Sequence, residues 1–183
     1  MSASDRRPLP SKILVTGASG AGTSTLGRAL AADLAAAFLD ADDLYWLPTD
    51  PPFKQERDPI GRAAMLREAL AAPREVVVAG SILGWGAELE DSFDLIVFLV
   101  APAEERIRRL RERELRRRGR VDEEFIAWAG QYDIGTQEGR SLARHLAWLK
   151  ERRCPVLTLS SVEPVAALVA AIRNTLKAVS RLV

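Results

Sequence analysis

The stretch "VTGASGAGTSTLGRAL", residues 15–30, decides the fold. Its glycines have the spacing of the phosphate-binding pattern G-x-x-x-x-G-K-[ST], but Thr23 occupies the lysine position. Such glycines let backbone N–H groups surround a phosphate, and the helix that follows directs its positive end at the anion. Neither feature depends on the lysine. We therefore predict nucleotide phosphate binding at Gly17, Ala18, Ser19, Gly20, Ala21, Gly22, Thr23, Ser24 and Thr25.

A glycine-rich turn without any ligand is the alternative interpretation of this stretch. The apolar run "KILVTG" before it predicts a buried strand, and Leu26, Leu30 and Leu34 after it recur with helical spacing. Because strand and helix flank the loop as a phosphate site requires, the functional interpretation is favoured.

The bulk composition sets limits on the class of protein. The chain has 183 residues, 48% of them apolar, and a net charge of +1, so no global field favours nucleic acid or membranes as partners. A lone cysteine, Cys154, forms no internal disulfide and suits a reducing cytoplasm, and no N-terminal apolar run resembles a signal peptide. We expect a cytoplasmic protein with a loose tail over residues 1–11 and one domain over residues 12–183.

The order of elements predicts an α/β fold. Five apolar runs are predicted strands: "KILVTG", "AFLDADD", "EVVVAGS", "FDLIVFLVAP" and "CPVLTL". Helices are predicted over residues 24–37, 60–72, 101–119, 123–132, 139–152 and 165–179, and prolines make residues 47–59 a loop. In the helix over 139–152, Leu142, Leu146 and Leu149 share one face. Strands that are apolar throughout and alternate with helices indicate a parallel sheet covered on both faces.

Acidic side chains follow the second predicted strand. Sheets of this kind bind ligands at the carboxyl ends of their strands, where "GASGAGTST", "LDADD" and "AGS" would meet. A carboxylate there, with the Ser24 hydroxyl, suits Mg²⁺ that keeps most of its waters, and a second carboxylate can accept a proton from a substrate hydroxyl or orient it. Asp40 and Asp42 are the candidates. A helix cap is the competing role for such aspartates, and we assign it to Asp43.

An arginine-rich run, "RERELRRRGR" at residues 111–120, allows two interpretations. It is either a nucleic-acid patch or a solvated helix that leads into a mobile lid. The interleaved acids weaken the first interpretation: Glu104, Glu105, Glu112 and Glu114. We favour a lid over residues 113–140, since arginine grips phosphate with two donors. His145, the only histidine, is assigned no catalytic role.

From "KILVTG" to the last helix, the chain resembles the P-loop small-molecule and nucleotide kinases, such as shikimate, gluconate and adenylate kinases. "GASGAGTST" resembles their phosphate loop. "FLDADD" resembles the F-x-D-x-D of shikimate kinases, and Asp40 lies 17 residues after Thr23, a similar separation. "VVVAGS" is similar to the strand that lines their acceptor pocket, and "TLSSVEP" to the loop around the nucleotide base. "DADDLYWLPTDPPF" and "GRSLARHLAWL" resemble bacterial adenylate kinase-like proteins.

The resemblance implies a five-stranded parallel sheet in the order 2-3-1-4-5, with ATP or ADP, Mg²⁺ and a small acceptor as ligands, in a monomer or a homodimer. It implies metal binding by Ser24 and Asp40. The residues expected in catalysis are Asp40, Asp42, Arg116 and Arg120, and those expected to bind the acceptor are Asp42, Arg57, Arg62, Gly80, Ser81 and Arg140.

Three departures from the family pattern limit what the resemblance implies. The lysine is absent. The third strand lacks the D-G-[FY]-P-R of adenylate kinases, which argues against a true adenylate kinase, and it lacks the full glycine triplet of shikimate kinases. The acceptor therefore stays open.

Two functions remain at this point: an ATP-dependent kinase, or a nucleotide-binding sensor or switch with little turnover. Ser24, Asp40, Asp42 and the arginine run favour the kinase, and Thr23 favours the switch. A kinase with Thr23 is either slow or has another cation in place of the lysine, and a lid arginine is the favoured candidate. The cations considered are Lys54, Arg57, Arg116, Arg117, Arg118, Arg120, Arg140 and Arg144.

Overall fold

The structure, a computed structural model, describes residues 12–50, 52–72, 75–135 and 140–179. The expected tail over residues 1–11 lies outside the described residues. The elements, in chain order, are β1 Lys12–Gly17, α1 Thr23–Leu34, β2 Ala37–Asp40, α2 Ala41–Tyr45, α3 Pro59–Ala71, β3 Val76–Ala79, α4 Ala87–Glu90, β4 Leu95–Val100, α5 Ala103–Arg118, α6 Glu123–Gly130, a 3₁₀ helix Gln131–Ile134, α7 Leu142–Lys150, β5 Val156–Ser160 and α8 Val165–Val179.

The five strands form one parallel sheet in the order β2-β3-β1-β4-β5, which confirms the predicted fold class and strand order. Ala79 of β3 pairs with Val15 of β1 on one side and with Asp40 of β2 on the other. On the far side of β1, Gly17 pairs with Leu99 of β4. This register brings the ends of β1, β2 and β3 to one edge of the sheet, where the phosphate loop begins.

Both faces of the sheet are buried. Ile13 and Val15 of β1 point into one apolar cluster, which α1 and α8 cover, while Leu14 between them points into the opposite cluster, which α3, α4 and α7 cover. Alternation of this kind puts an apolar side chain on each face at every step along the strand. The continuous apolar runs in the sequence follow from burial on two sides.

One predicted boundary near β2 was wrong. α1 ends at Leu34 and not at residue 37, because Ala35 adopts a left-handed conformation (φ 53°) before the chain enters β2. The strand predicted from "AFLDADD" ends at Asp40, whose side chain accepts a hydrogen bond from the Asp42 backbone N–H (3.2 Å) and starts α2. The cap role assigned to Asp43 therefore belongs to Asp40.

The predicted helices after the arginine-rich run also differ from the structure. The helix predicted over 123–132 ends at Gly130 and continues as the 3₁₀ helix. The helix predicted over 139–152 is α7, and residue 139 lies outside the described residues. Its buried face consists of His145, Trp148 and Leu149, whereas Leu146 is exposed. The leucine pattern misplaced this face because a histidine and a tryptophan supply most of its contacts.

Candidate functional site

The phosphate loop connects β1 to α1 and is shaped by its backbone. At Gly17 a Cβ atom would lie only 2.4 Å from the carbonyl oxygen of Leu99, so the neighbouring strand leaves no room for a side chain. Gly22 has φ 92°, a conformation that favours glycine, and precedes the first residue of α1. The first turn of α1 carries no acidic residue. The positive end of α1 is therefore unopposed by its own side chains, as an anion site requires.

Asp40 and Asp42 lie at the end of β2, on the same edge of the sheet as the loop. Asp40 is in register with Val15 two strands away, which corresponds to about 10 Å across the sheet. Its Oδ2 atom is 4.0 Å from Nη2 of Arg28. Burial raises the pKa of Asp42, while the charge of Arg140 acts in the opposite direction. Asp42 is thus a carboxylate with increased proton affinity beside a cation.

The donor set fits a magnesium ion that keeps most of its waters. Ser24, in the first turn of α1, supplies a hydroxyl, and Asp40 supplies a carboxylate with one oxygen engaged by the α2 cap. Within the described part of the chain, no group of three or more His, Cys, Asp or Glu side chains is arranged to hold a metal. Mg²⁺ commonly binds through one or two protein oxygens together with waters and substrate phosphates, so these residues suffice.

Gly80 and Ser81 lie directly after β3, between the phosphate loop and α2. Gly80 has φ 114°, and a Cβ atom there would lie 2.9 Å from Cβ of Ala41. Its backbone N–H donates to the carbonyl of Val15 (2.9 Å), and Ser81 is buried. The end of β3 is therefore packed tightly against the start of α2, the helix that carries Asp42.

Arg57 and Arg62 have different surroundings. Nε of Arg57 donates to the carbonyl of Leu44 (3.0 Å), so the Arg57 side chain is bound to the backbone of α2. The Arg62 guanidinium lies over the rings of Tyr45 and Trp85, 4.3 and 5.3 Å from their centroids. Among the described residues, Nε and Nη1 of Arg62 are buried without a hydrogen-bond partner. Buried donors of this kind normally have partners, so Arg62 is suited to hold an anionic group of a ligand.

The lid arginines have different surroundings. Arg116 and Arg120 are exposed, and within the described residues neither side chain makes a hydrogen bond or an ion pair. Arg118 pairs with Glu114 (3.2 Å) and lies over the ring of Phe53. Arg140, which was predicted to bind the acceptor, is a residue whose charge lowers the pKa of Asp42. The lid over 113–140 stays a prediction, and its residues 136–139 lie outside the described residues.

Sequence reasoning missed three arginines on α5. Arg106, Arg109 and Arg113 are spaced by three and four residues, so they share one face of the helix. Nη1 of Arg109 lies 3.9 Å from the position of a Cβ atom at Gly22, and the guanidinium donates to Oγ (3.0 Å) and O (2.9 Å) of Ser161. Helical spacing, applied to arginine instead of leucine, was the signal that could have identified them.

Arg113 lies one turn further along α5. Its Nε atom is buried without a hydrogen-bond partner within the described residues. Burial lowers the pKa of its guanidinium, and the charge of Arg117 acts in the same direction, while Glu114 and Asp42 oppose them. Arg113 therefore places a poorly compensated cation near Asp42.

His145 is buried, with a hydrogen bond at each ring nitrogen. Nε2 is 3.1 Å from Oγ1 of Thr16, the residue before the phosphate loop, and Nδ1 is 2.9 Å from the hydroxyl of Tyr132. Burial lowers the pKa of His145 to about 4, so the imidazole is neutral at pH 7. The structure places it against the residue that precedes the loop, in keeping with a role in packing.

Two cavities differ in their relation to this site. A small one of about 10 Å³, about the volume that one water needs, lies between Ser19 and Arg140. A larger one of about 180 Å³ lies near Lys12, at the amino end of β1, and is lined by Arg67 and Glu88 among others. The larger cavity shares no residue with the candidate site, so it has no part in the function argued below.

A glycine loop between a parallel strand and a helix, with carboxylates at the end of a strand two positions away, defines a P-loop protein. Residues 13–127 match the model of the AAA domain family, and the chain belongs to that family. It is 38% identical over 157 residues to "Uncharacterized protein YqaC" of Bacillus subtilis (strain 168), a match that covers 80% of this chain and 86% of that protein.

Solved structures of kinases share the fold. A gluconokinase from Sinorhizobium meliloti 1021 superposes with a TM-score of 0.60 at 22% identity, over 96% of each chain. A shikimate kinase from Bacteroides thetaiotaomicron superposes with a TM-score of 0.61 at 21% identity, over 92% of this chain and 99% of that one. The fold is therefore that of the P-loop small-molecule kinases. In the described segments, no helix has both the length and the apolar character that crossing a bilayer demands.

Proposed function

We propose that this protein is an ATP-dependent kinase that transfers the γ-phosphoryl group of ATP to a hydroxyl of a small metabolite or nucleotide. The observation that carries the proposal is the placement of Asp42, a half-buried carboxylate with a raised pKa, on the same sheet edge as a phosphate loop. A nucleotide-binding loop alone has no need of such a carboxylate. A kinase needs it to accept the proton that leaves the acceptor hydroxyl.

The proposed roles follow from the geometry. Residues 17–25 hold the phosphates through backbone N–H groups. Ser24 and Asp40 hold Mg²⁺, which would neutralise charge on the phosphates. Asp42 takes the proton of the acceptor hydroxyl as its oxygen forms the new bond to phosphorus, the bond to the leaving oxygen breaks, and ADP departs.

The acceptor site is proposed to lie between the end of β3 and α2. Gly80 and Ser81 form its floor, and Arg62, Arg57 and Arg140 line it. The unpartnered nitrogens of Arg62 support an acceptor that carries an anionic group, because a carboxylate or phosphate oxygen would supply the missing hydrogen-bond partners. The lid over 113–140, with Arg116 and Arg120, would complete the site on closure.

A nucleotide sensor or switch with little turnover is the second candidate, and Thr23 is the observation that favours it. The lysine of a phosphate loop stabilises charge on the transferring group, a contribution of about 3–4 kcal/mol, or roughly a hundred- to thousandfold in rate. Threonine has no charge and does not reach as far. A kinase with Thr23 is either slow or has a replacement cation.

An ADP-release assay over a panel of hydroxylated carboxylates, sugar phosphates and nucleoside monophosphates, with Mg²⁺, tests the proposal. We expect ADP release that depends on one class of acceptor. ATP binding without any acceptor-dependent release would favour the switch. Thr23→Lys serves as a second arm: a gain in rate marks a kinase weakened at this position, whereas intact ATP binding with no gain supports the switch.

A replacement cation is tested by single-turnover rates of alanine variants at Arg109, Arg113 and Arg140 and at two arginines of the predicted lid, Arg116 and Arg120. We expect one of them to lose much more than the others. Uniform losses of only a few-fold would contradict the replacement of the lysine by any single arginine.

A further inference from the structure

Arg106 is a fully buried arginine that lies against the outer side of the phosphate loop. Its side chain is 1% exposed. Nη1 donates to the carbonyl oxygens of Ser19 (3.4 Å), in the loop, and of Ala129 (3.3 Å), in α6. Nη2 forms an ion pair with Asp133, and the guanidinium lies 5.2 Å from the ring centroid of Tyr132. A guanidinium loses its hydration on burial, so its place under the loop requires compensation.

The negative charge that pairs with Arg106 is much more exposed to water than Arg106 itself. The Asp133 side chain is 41% exposed, whereas the Arg106 side chain is dry. Water screens the field of an exposed carboxylate more strongly than the field of a buried cation. His145 and Tyr132 beside this pair add no charge near pH 7, because burial lowers the pKa of His145 to about 4 and raises the pKa of Tyr132 to about 12. A positive potential therefore remains on the side of Arg106 that faces the loop.

The hydrogen bond to Ser19 also determines how one peptide unit of the loop is oriented. In a trans peptide the C=O and the following N–H point in opposite directions. Since the Ser19 carbonyl points outward to Arg106, the Gly20 N–H points away from α5. On the outer side, a Cβ atom at Gly20 would lie 2.6 Å from the carbonyl oxygen of Arg106. The N–H of Ala21 is already used in a turn to the carbonyl of Ala18 (3.0 Å).

We propose that Arg106 is a positioning residue for phosphate binding, which orients the Gly20 N–H into the loop and supplies, from behind the loop, part of the positive charge that Thr23 lacks. This inference rests on the proposed function only as far as nucleotide binding at the loop, and it needs no turnover. Arg106 touches neither ligand nor reacting atoms. It acts through the peptide of Ser19 and Gly20.

The test compares a ligand with phosphates and a ligand without them. Arg106→Met should weaken ADP binding, measured by calorimetry, by about tenfold, the lower end of what loss of an outer partner costs a bound ion. Adenosine binding, followed by NMR shifts, should change less than about twofold, since adenosine has no phosphate for Gly20 to hold. Arg111→Met is the matched control: Arg111 lies on the same helix in a surface ion pair with Glu123, and neither affinity should change.

Asp133→Asn keeps the inference testable if Arg106→Met does not fold. It retains Arg106 and removes the opposing charge, so ADP should bind several-fold more tightly and adenosine unchanged. Equal losses for ADP and adenosine in Arg106→Met, or ADP affinity that neither variant alters, would overturn the inference. If the wild-type protein binds no ADP, the proposed function fails together with it. If it binds ADP but transfers no phosphoryl group, only the kinase proposal fails.

Discussion

The phosphate loop and the region around Asp42, called the Asp42 edge below, lie at the same end of the sheet but are built differently. Backbone conformation shapes the first, and charged side chains shape the second. The loop relies on backbone: Gly17 leaves room for β4, Gly22 supplies the positive φ, and Ala18 and Ala21 are buried. The Asp42 edge relies on charge. It contains a half-buried carboxylate and two arginines with buried, unpartnered nitrogens, Arg62 and Arg113, among the described residues.

The difference bears on stability. The glycines, alanines, serines and threonines of the loop carry no charge, so the loop is compatible with folding whether or not a ligand is bound. Polar atoms that are shielded from water without hydrogen-bond partners oppose folding, and among the described residues Nε and Nη1 of Arg62 and Nε of Arg113 are such atoms. Substitutions should therefore affect the two regions in different ways.

The largest expected effect is in the loop. Gly22→Val should abolish measurable ADP binding, because a β-branched residue at φ 92° forces the backbone out of the conformation that surrounds a phosphate. Gly119→Val is the control: Gly119 also has a positive φ (68°), ends α5 and has open space around it, so it carries comparable strain away from the loop. Calorimetry should show ADP affinity lost in the first variant and retained in the second. ADP binding to Gly22→Val with wild-type affinity would place the phosphate site elsewhere.

At the Asp42 edge, activity and stability should move in opposite directions. Asp42→Asn should lower turnover by about a hundredfold or more, because the proton acceptor is lost. The pKa of Asp42 is raised in the folded state, so its protonated form stabilises the fold below the ordinary pKa of 3.8, and that stabilisation is lost as the pH rises through the folded pKa. At pH 7 the Asn variant should melt at the same or a higher temperature.

Asp43→Asn is the matched control for this prediction, since Asp43 is the exposed neighbour in the same helix. It should leave both turnover and melting temperature unchanged. A drop in the melting temperature of Asp42→Asn at pH 7, or full turnover, would return Asp42 to a structural role.

Behind the loop, His145 should make stability depend on pH. Its pKa falls from 6.5 to about 4 on folding, so the unfolded chain binds the proton more readily. The contribution is present above pH 6.5 and is lost as the pH falls toward 4, by about 3 kcal/mol in total. Urea unfolding between pH 7.5 and 4 should show a shallower decline for His145→Gln than for the wild type. Parallel curves would show that the histidine does not titrate in this window.

The smallest expected effect concerns Asp40, which caps α2 and is proposed to bind Mg²⁺. Asp40→Ala should destabilise the protein by about 1 kcal/mol through loss of the α2 cap, whereas Asp40→Asn keeps a side-chain oxygen for the Asp42 N–H and should cost only a few tenths. Both variants should raise the Mg²⁺ concentration needed for half-maximal turnover. If Asp40→Asn keeps the wild-type Mg²⁺ dependence, Asp40 is a cap only.

The elements nearest the loop were predictable because their signals are local. Glycine spacing between an apolar strand and an amphipathic helix predicted the loop that connects β1 to α1, and two-sided apolar runs predicted the parallel sheet and its covered faces. The errors arose where a side chain bonds to backbone, since Asp40 and not Asp43 caps α2, or where a histidine and a tryptophan supply the buried face, as in α7.

The sequence by itself determined the phosphate loop, the order of strands and helices, and the meeting of "GASGAGTST", "LDADD" and "AGS" at one edge, since these depend on periodicity and on neighbours along the chain. Only the tertiary structure decided which charges are buried and what they face. His145 bonds to Thr16 across 129 positions, and Arg106 lies under Ser19 across 87. Helical spacing groups Arg106 with Arg109 and Arg113, but it does not show that Arg106 is the one that is fully buried, because burial depends on the elements that cover it.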